Sequence, residues 1–491
     1  MRALVAALAL VPLAGAFRAT AARGAVAGSA VARRAAPVAA VSPGIAATSA
    51  SSPRFLSAEL ARRVRAEFGT PVYVYDAALL SAQARTALAF PAAYGLTVRF
   101  AMKACPNRAV LQLLRGHGVW IDASSGYEVR RAILAGFKPE QISLSSQEMP
   151  DDIGALLQMG VEVNACSLAQ LEKVGCAAPG ARVGVRFNPG VGSGGTGKTN
   201  VGGPSSSFGI WHEQMPQVKA LLAKHRLVAT RVHTHIGSGS DPAVWQQVAS
   251  LTLALARELP AVETVNLGGG YKVGRMPGEA STDLATVGAP VRAAFEAFAA
   301  ETGRRLRLEI EPGTFLVANA GALLATVQDV TSTKGSGAGG HDFVKLDAGM
   351  TEVLRPSLYG AQHPISILHA APAAPAGRVG GYIVSGHCCE SGDLFTCAPG
   401  EPEELLERAL HAPQIGDLCV VDGAGAYCAG MATKNYNSFP EAAEVLVGLD
   451  GTPHLVRARQ SLEQVLANEL PLPPAAVQGQ PAAAAAAAAR E

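Results

Sequence analysis

The sequence predicts an α/β fold, a (β/α)8 TIM barrel, carrying a second, C-terminal all-β domain. Three observations predict it. Eight short apolar runs between Leu96 and Ile310 alternate with amphipathic stretches, the pattern of parallel strands joined by crossover helices. After "EPGTFLVANAG" the texture changes to short β-branched runs separated by Gly- and Pro-rich turns, as in a β-sandwich or barrel. The 491 residues suffice for two or three domains at about 100–200 residues each. Alternation alone does not tell a closed barrel from an open doubly wound sheet, which stands as the structural rival.

In chain order, residues 1–52 read as a targeting presequence. No Asp or Glu precedes Glu59. "LVAALALVPLAGA" is a short apolar run behind Arg2 that ends in small residues, as a secretory signal does; it is too short to span a bilayer comfortably. "FRATAARGAVAGSAVARRAAP" is basic and acid-free, like an organelle transit peptide. With Phe17 right after the small-residue site, the pair resembles the bipartite plastid presequences of algae with complex plastids. The expected location is the plastid stroma, with plain secretion as the alternative.

The predicted strands are "LTVRFAM", "VWIDA", "QISL", "VEVNA", "RVGVRF", "LVATRVHTH", "TVNLG" and "RLRLEI". Helical stretches such as "AVLQLLRG", "YEVRRAILAG", "IGALLQMG" and "AVWQQVASLTLALARE" lie between them. The barrel is assigned to residues 83–322, and the β domain to 54–82 together with 323–469. In the latter, "FVKLDA", "GYIVSG", "DLCVVDG" and "AEVLV" read as strands, and "KGSGAGG" and "AAPAAPAGR" as surface loops. Residues 470–491 form a low-complexity tail expected to be disordered.

Composition excludes several function classes. Forty-one basic residues against 39 acidic give a net charge of +2, and no long basic run points to nucleic acid. The eight cysteines show no CxxC or His/Cys ligand spacing, and Cys388 and Cys389 are adjacent. A metal site or a disulfide framework is not expected, which suits a reducing compartment. "GSGGTGKT", from Gly192 to Thr199, matches the phosphate-loop pattern, but that loop needs a helix opening directly after it. "NVGGP" follows instead, a poor first helical turn, and Pro189 intervenes upstream. The stretch is read as a flexible loop that happens to contain Lys198.

The chemistry is sought at the carboxyl ends of the barrel strands, where functional groups of this fold gather. Lys103 follows strand one, His235 ends strand six, Gly268 to Gly270 follow strand seven and Glu311 follows strand eight. Singly, each has an ordinary reading: a solvated lysine, a structural histidine, a tight turn, a Glu-Pro-Gly turn. Their joint placement at one mouth is the signal, and glycine also lets backbone N–H groups approach a phosphate closely.

From Phe55 to Leu470 the chain resembles the pyridoxal-phosphate-dependent decarboxylases with an alanine-racemase-like barrel, and within that ornithine/diaminopimelate/arginine group the diaminopimelate decarboxylases. The resemblance rests on "FAMKACPN", "HTHIGSGSD", "NLGGGY", "EIEPG", "LDAGMTEVLRPSLYGAQHPI", "CCESGDLF" and "DGAGAYCAGMATKNYNSFPEAAEVLV". "KTNVGGPSSSFGIW" is similar to a loop of one branch of the family. The cofactor implied is pyridoxal 5'-phosphate, and the reaction is decarboxylation of meso-2,6-diaminopimelate to L-lysine and CO2. Lys103 would be the Schiff-base lysine. Chemically, a lysine at an enclosed cationic and apolar mouth is expected to lose its proton more easily. Gly270 and Ser238 would hold the phosphate, Gly268 and Gly269 shape the loop, His235 stack on the pyridine ring and Glu311 face its nitrogen. Tyr427 would touch cofactor and substrate. Arg355 and Tyr359 match carboxylate-gripping positions, and a guanidinium suits bidentate carboxylate binding. Cys389 would be the catalytic proton donor and Glu390 would bind the substrate amine, both reaching into the partner's barrel in a homodimer with shared sites.

One departure bears on the substrate. The family usually reads E-P-G-R where this chain reads "EPGT", so Thr314 replaces a substrate-contacting arginine. Decarboxylation of another basic amino acid (ornithine, arginine or lysine) is the enzymatic alternative. A non-catalytic homologue and an NTPase are the readings from other classes. Joint retention of Lys103, Glu311 and Cys389 argues against the former.

Overall fold

The computed structural model describes residues 51–192, 201–237, 241–336, 339–371, 378–473 and 476. The eight apolar runs form eight parallel strands: β1 (Leu96–Ala101), β2 (Trp120–Ala123), β3 (Ile142–Leu144), β4 (Glu162–Ala165), β5 (Arg182–Asn188), β6 (Val228–Thr234), β7 (Thr264–Asn266) and β8 (Arg307–Ile310). Each pairs with its neighbours, and β8 returns to β1 through Leu308↔Leu96 and Ile310↔Val98. Asn164↔Gly184 and Ala165↔Val185 join β4 to β5, so no edge is left and the open-sheet rival is excluded.

The crossover helices start where short polar side chains cap them. Asn107, Ser125, Ser167, Asp241 and Asp283 each accept a hydrogen bond from an N–H of the following first turn, a contact worth about 1 kcal/mol per helix. Pro242 at the first helical position reinforces one of these starts.

Side chains alternate across a strand, and here one alternating set is largely polar. Thr97 and Arg99 lead through Ala101 to Lys103 after β1; Arg231 and His233 lead to His235 after β6; Glu309 leads to Glu311 after β8. Buried Arg99 donates from Nη2 to Glu309 Oε1 at 2.9 Å, and Arg231 Nε lies 3.0 Å from Glu309 Oε2. Both guanidiniums also pair with Glu162. A barrel interior is more often filled with branched aliphatic residues. Here each charge is paired, which offsets a desolvation cost that a lone buried ion would bear in full.

The second sheet has nine strands and draws on both ends of the chain. Val72–Asp76 pairs antiparallel with the twelve-residue strand Gly321–Ser332 and parallel with Ala443–Val447. "FVKLDA", "GYIVSG", "DLCVVDG" and "AEVLV" all contribute strands. Val72–Asp76, Gly321–Ser332, Ile365–Leu368, Arg408–His411 and Pro453–Arg457 add five more that periodicity did not single out. Leu56, Val72, Val74, Leu324, Val420 and Val445 form its separate apolar cluster.

Residues 1–50 of the presequence, most of the tail, and 372–377 within "AAPAAPAGR" lie outside the described residues. Among the described residues no helix is long and apolar enough to cross a membrane. Of the phosphate-loop stretch only Gly192 is described, and no helix opens in residues 201–209 after it.

Candidate active site

A cavity of about 1720 Å³ opens at the carboxyl ends of the strands, and Lys103, His235, Gly269, Gly270 and Glu311 line it. Thr314, Arg355, Tyr359 and Tyr427 line the same cavity. Gly268 sits beside the wall, and Ser238 lies outside the described residues. Cys389 and Glu390 are exposed on the β domain and do not line this cavity; the Cys389 N–H is held by Asn437 Oδ1 at 2.9 Å.

Lys103 occupies a single 3-10 turn, Met102–Ala104, where β1 ends. Its Nζ lies 2.9 Å from Asp122 Oδ2 at the end of β2. The expected easy loss of its proton is overturned, because the mouth is anionic at this point. Burial alone would favour the neutral amine, but Asp122, Tyr427 and Glu311 outweigh it and raise the group above the ordinary lysine range. With 39% of its side chain open to the cavity, Lys103 keeps part of its hydration, and the ion pair with Asp122 decides its charge. Asp122 is pushed up to about 7, by burial first and then by the negative charge of Glu311, with Lys103 opposing. Its second oxygen, Oδ1, is buried without a hydrogen-bond partner.

Glu311 is buried at the end of β8. Asn266 Nδ2 donates to its Oε1 at 2.7 Å, and His233 Nε2 faces its Oε2 at 3.3 Å. Burial opposes its ionisation, but the His233 contact and the Lys103 ammonium prevail and hold the carboxyl well below its usual range. His233 receives Ser145 at Nδ1, 3.3 Å away, and burial keeps its own pKa low. His235 is pushed lower still, by burial and then by Arg186, so its ring is a neutral plate at the cavity wall.

The glycine loop is shaped by what surrounds it. Gly268 adopts φ +70°, and a Cβ there would stand 2.7 Å from His235 Cβ. At Gly269 a Cβ would stand 2.1 Å from the Glu311 carbonyl oxygen. No side chain fits, so the bare backbone meets the cavity. On the other side Tyr427, at φ 56°, donates its N–H to the Ala104 carbonyl at 2.8 Å, across the Lys103 turn. An amine, a glycine backbone cradle, a neutral aromatic plate and an ionised buried carboxylate suit an aromatic aldehyde bearing a phosphate and a ring nitrogen. The residues present fit pyridoxal phosphate.

Asp122, Arg186, His233 and Arg275 also belong to this cavity, and sequence reasoning did not select them. The period-two continuation in "WIDA" and "RVHTH" is a signal that could have found Asp122 and His233. Elsewhere the fold gathers Glu172, Cys176 and His225, with ligand atoms within 4.8 Å of one another. Glu172 there is already engaged by Lys224 at 2.5 Å and His225 at 3.0 Å.

The family described as "Pyridoxal-dependent decarboxylase, pyridoxal binding domain" matches residues 78–318. The chain is 38% identical to the diaminopimelate decarboxylase of Escherichia coli (strain K12), over 84% of this chain and 97% of that protein. A crystal structure of a diaminopimelate decarboxylase superposes with a TM-score of 0.78 at 37% identity, covering 84% of this chain and 96% of that one. The Helicobacter pylori diaminopimelate decarboxylase complexed with L-lysine gives a TM-score of 0.73 at 26% identity, covering 82% and 98%.

Proposed function

The chain belongs to the diaminopimelate decarboxylase family of pyridoxal-dependent decarboxylases, and we propose that it converts meso-2,6-diaminopimelate to L-lysine and CO2, the closing step of lysine biosynthesis. The observation that carries this reading is the convergence of Lys103, His235, Glu311 and the Gly269–Gly270 backbone on one cavity that also presents Arg355 and Tyr359.

Pyridoxal phosphate, when bound, supplies an electron sink for the pair left behind as CO2 departs. Lys103 would hold the cofactor through its Nζ, which must first be neutral for that; Asp122 Oδ2, in contact at 2.9 Å, is the acceptor for the displaced proton. The Gly269–Gly270 backbone would hold the phosphate, and the neutral His235 ring would cover the pyridine face. Glu311, kept ionised in its buried pocket, would face the ring nitrogen and favour its protonated form. Arg355 is oriented by His363, whose Nε2 accepts from Nη1 at 2.9 Å, while His363 Nδ1 lies 2.8 Å from the Asp422 carbonyl oxygen. That leaves the rest of the guanidinium to grip a carboxylate. The lost carboxylate is replaced by a proton, for which the Cys389 thiol is the donor.

Cys389 and Glu390 act from the partner of a homodimer in this reading. Their exposure away from their own chain's cavity supports it, as does a cavity larger than the roughly 300–1,000 Å³ of ordinary ligand sites. The acid-free N-terminal stretch supports delivery to a plastid. Ornithine, arginine and lysine offer no second carboxylate for the cavity's cations, which favours diaminopimelate. Incubating the holoenzyme with each of the four amino acids tests the choice. CO2 and lysine should form from meso-diaminopimelate, and release of CO2 from ornithine, arginine or lysine alone would refute the assignment.

A further inference from the structure

We propose that Arg275 is a substrate-binding residue that grips the carboxylate retained by the substrate, supplying from the loop after β7 the cation that Thr314 does not. The proposal rests on the decarboxylation of a dicarboxylate argued above and identifies a specificity group within that site.

Arg275 lies in "GGGYKVGRMPGE", directly downstream of the glycine loop, and it lines the cavity with Arg355 and Thr314. Its backbone is fixed from several sides. The Arg275 N–H donates to Glu279 Oε2 at 2.9 Å, its carbonyl accepts from Arg54 Nη2 at 3.3 Å, and the preceding Gly274 carbonyl accepts from Asn319 at 3.0 Å. Its Nε donates to the Gly423 carbonyl at 3.2 Å. Arg355 is tied through His363 to the carbonyl of the adjacent residue, Asp422. Two guanidiniums are thus fastened to consecutive carbonyls at the end of one strand, Leu418–Asp422.

Neither is neutralised. Among the described residues, Arg275 and Arg355 form no ion pair, and Arg275 Nη2 is buried without a hydrogen-bond partner. Glu279, whose charge reaches Arg275, spends its Oε2 on the N–H groups of Arg275 and Met276. The contrast lies in the same barrel, where buried Arg99 and Arg231 are each matched by Glu162 and Glu309. Arg275 is pushed down to about 9, by burial first and then by the charge of Arg355. Like charges facing one cavity, with a buried donor left open, demand an anion. A planar carboxylate offers four lone-pair sites, enough for both guanidiniums.

The test compares wild type, Arg275→Gln and Arg275→Lys as holoenzymes. It reads kcat and KM for meso-diaminopimelate, and binding of L-lysine against 1,5-diaminopentane, which differs by lacking the carboxylate. Arg275→Gln should raise KM about tenfold to a hundredfold, the size of a lost charge-assisted hydrogen bond, with kcat changed far less. L-lysine binding should weaken in parallel while diamine binding holds, and Arg275→Lys should recover part of the loss. An unchanged preference for lysine over the diamine in Arg275→Gln would overturn the proposal. So would equal weakening of both ligands with a lowered melting temperature, which marks a structural role. Loss of pyridoxal phosphate affinity with lysine binding intact would reassign the guanidinium to the cofactor phosphate. If wild type fails to turn over diaminopimelate, the function assigned above falls, and the lysine-against-diamine comparison still reads Arg275.

Discussion

Replacing Asp122 by Asn should make Lys103 markedly easier to deprotonate. The two groups are in contact at 2.9 Å, and the ammonium is partly open to the cavity. With an effective dielectric constant of about 20 for a sheltered pair and about 80 for a solvated one, Coulomb's law at that distance gives about 6 and about 1.4 kcal/mol respectively. At about 1.4 kcal/mol per decade, the midpoint for deprotonation should fall by about one to four pH units. The exposure of the lysine argues for the lower half of that range. Trace acetylation of the cofactor-free protein across a pH series, followed by peptide mapping, reads the neutral fraction of Lys103 directly. The Asn variant should acetylate Lys103 at lower pH than wild type, with other lysines unmoved as internal standards. Reconstitution with pyridoxal phosphate should at the same time slow near neutrality, since the variant lacks the proton acceptor. A Lys103 midpoint that stays in place or rises would refute the claim that the Asp122 pair sets its charge.

Lys103→Ala and Cys389→Ala should each be severely impaired alone. Mixed with subunit exchange, they should regain about a quarter of wild-type activity per subunit, since about half the dimers would carry one intact site; mixtures that exchange yet stay inactive would place Cys389 outside any shared site. Glu352, in the β domain, is pushed up to about 7, chiefly by burial. Its folded form therefore holds a proton more tightly than the unfolded chain does, and the associated stability is lost as pH rises from about 4.5 through 7. Glu352→Gln cannot ionise, so its melting temperature should gain on wild type between pH 5 and pH 8, by at most about 3 kcal/mol of stability; a pH-independent difference would count against this. Lys198→Ala should leave decarboxylation nearly intact and neither protein should bind ATP, whereas saturable ATP binding lost in the variant would restore the phosphate-loop reading.

The barrel was legible because its information is local. Runs such as "RVGVRF" and "VEVNA", bounded by turn residues, are strands whether or not the sheet closes, and the β1–β8 order follows from the chain. The cofactor positions were legible for a related reason. Strand ends in this fold face one mouth, so Lys103, His235, Gly270 and Glu311 could be placed together without coordinates. Charge was not legible. Whether Lys103 sits among cations or anions depends on Asp122, nineteen residues away on the next strand, and electrostatic energy follows distance in space rather than in sequence. Closure of β4 on β5 depends on sheet geometry, and the insertion of Val72–Asp76 beside Gly321–Ser332 joins segments about 250 residues apart. No periodicity within either segment records such a pairing. The same holds for the substrate grip. The sequence by itself showed that Thr314 lacks a cation; only the folded chain brings Arg275 and Arg355 to one cavity with neither in an ion pair among the described residues, because the burial that leaves a charge unpaired is a property of the packed tertiary structure.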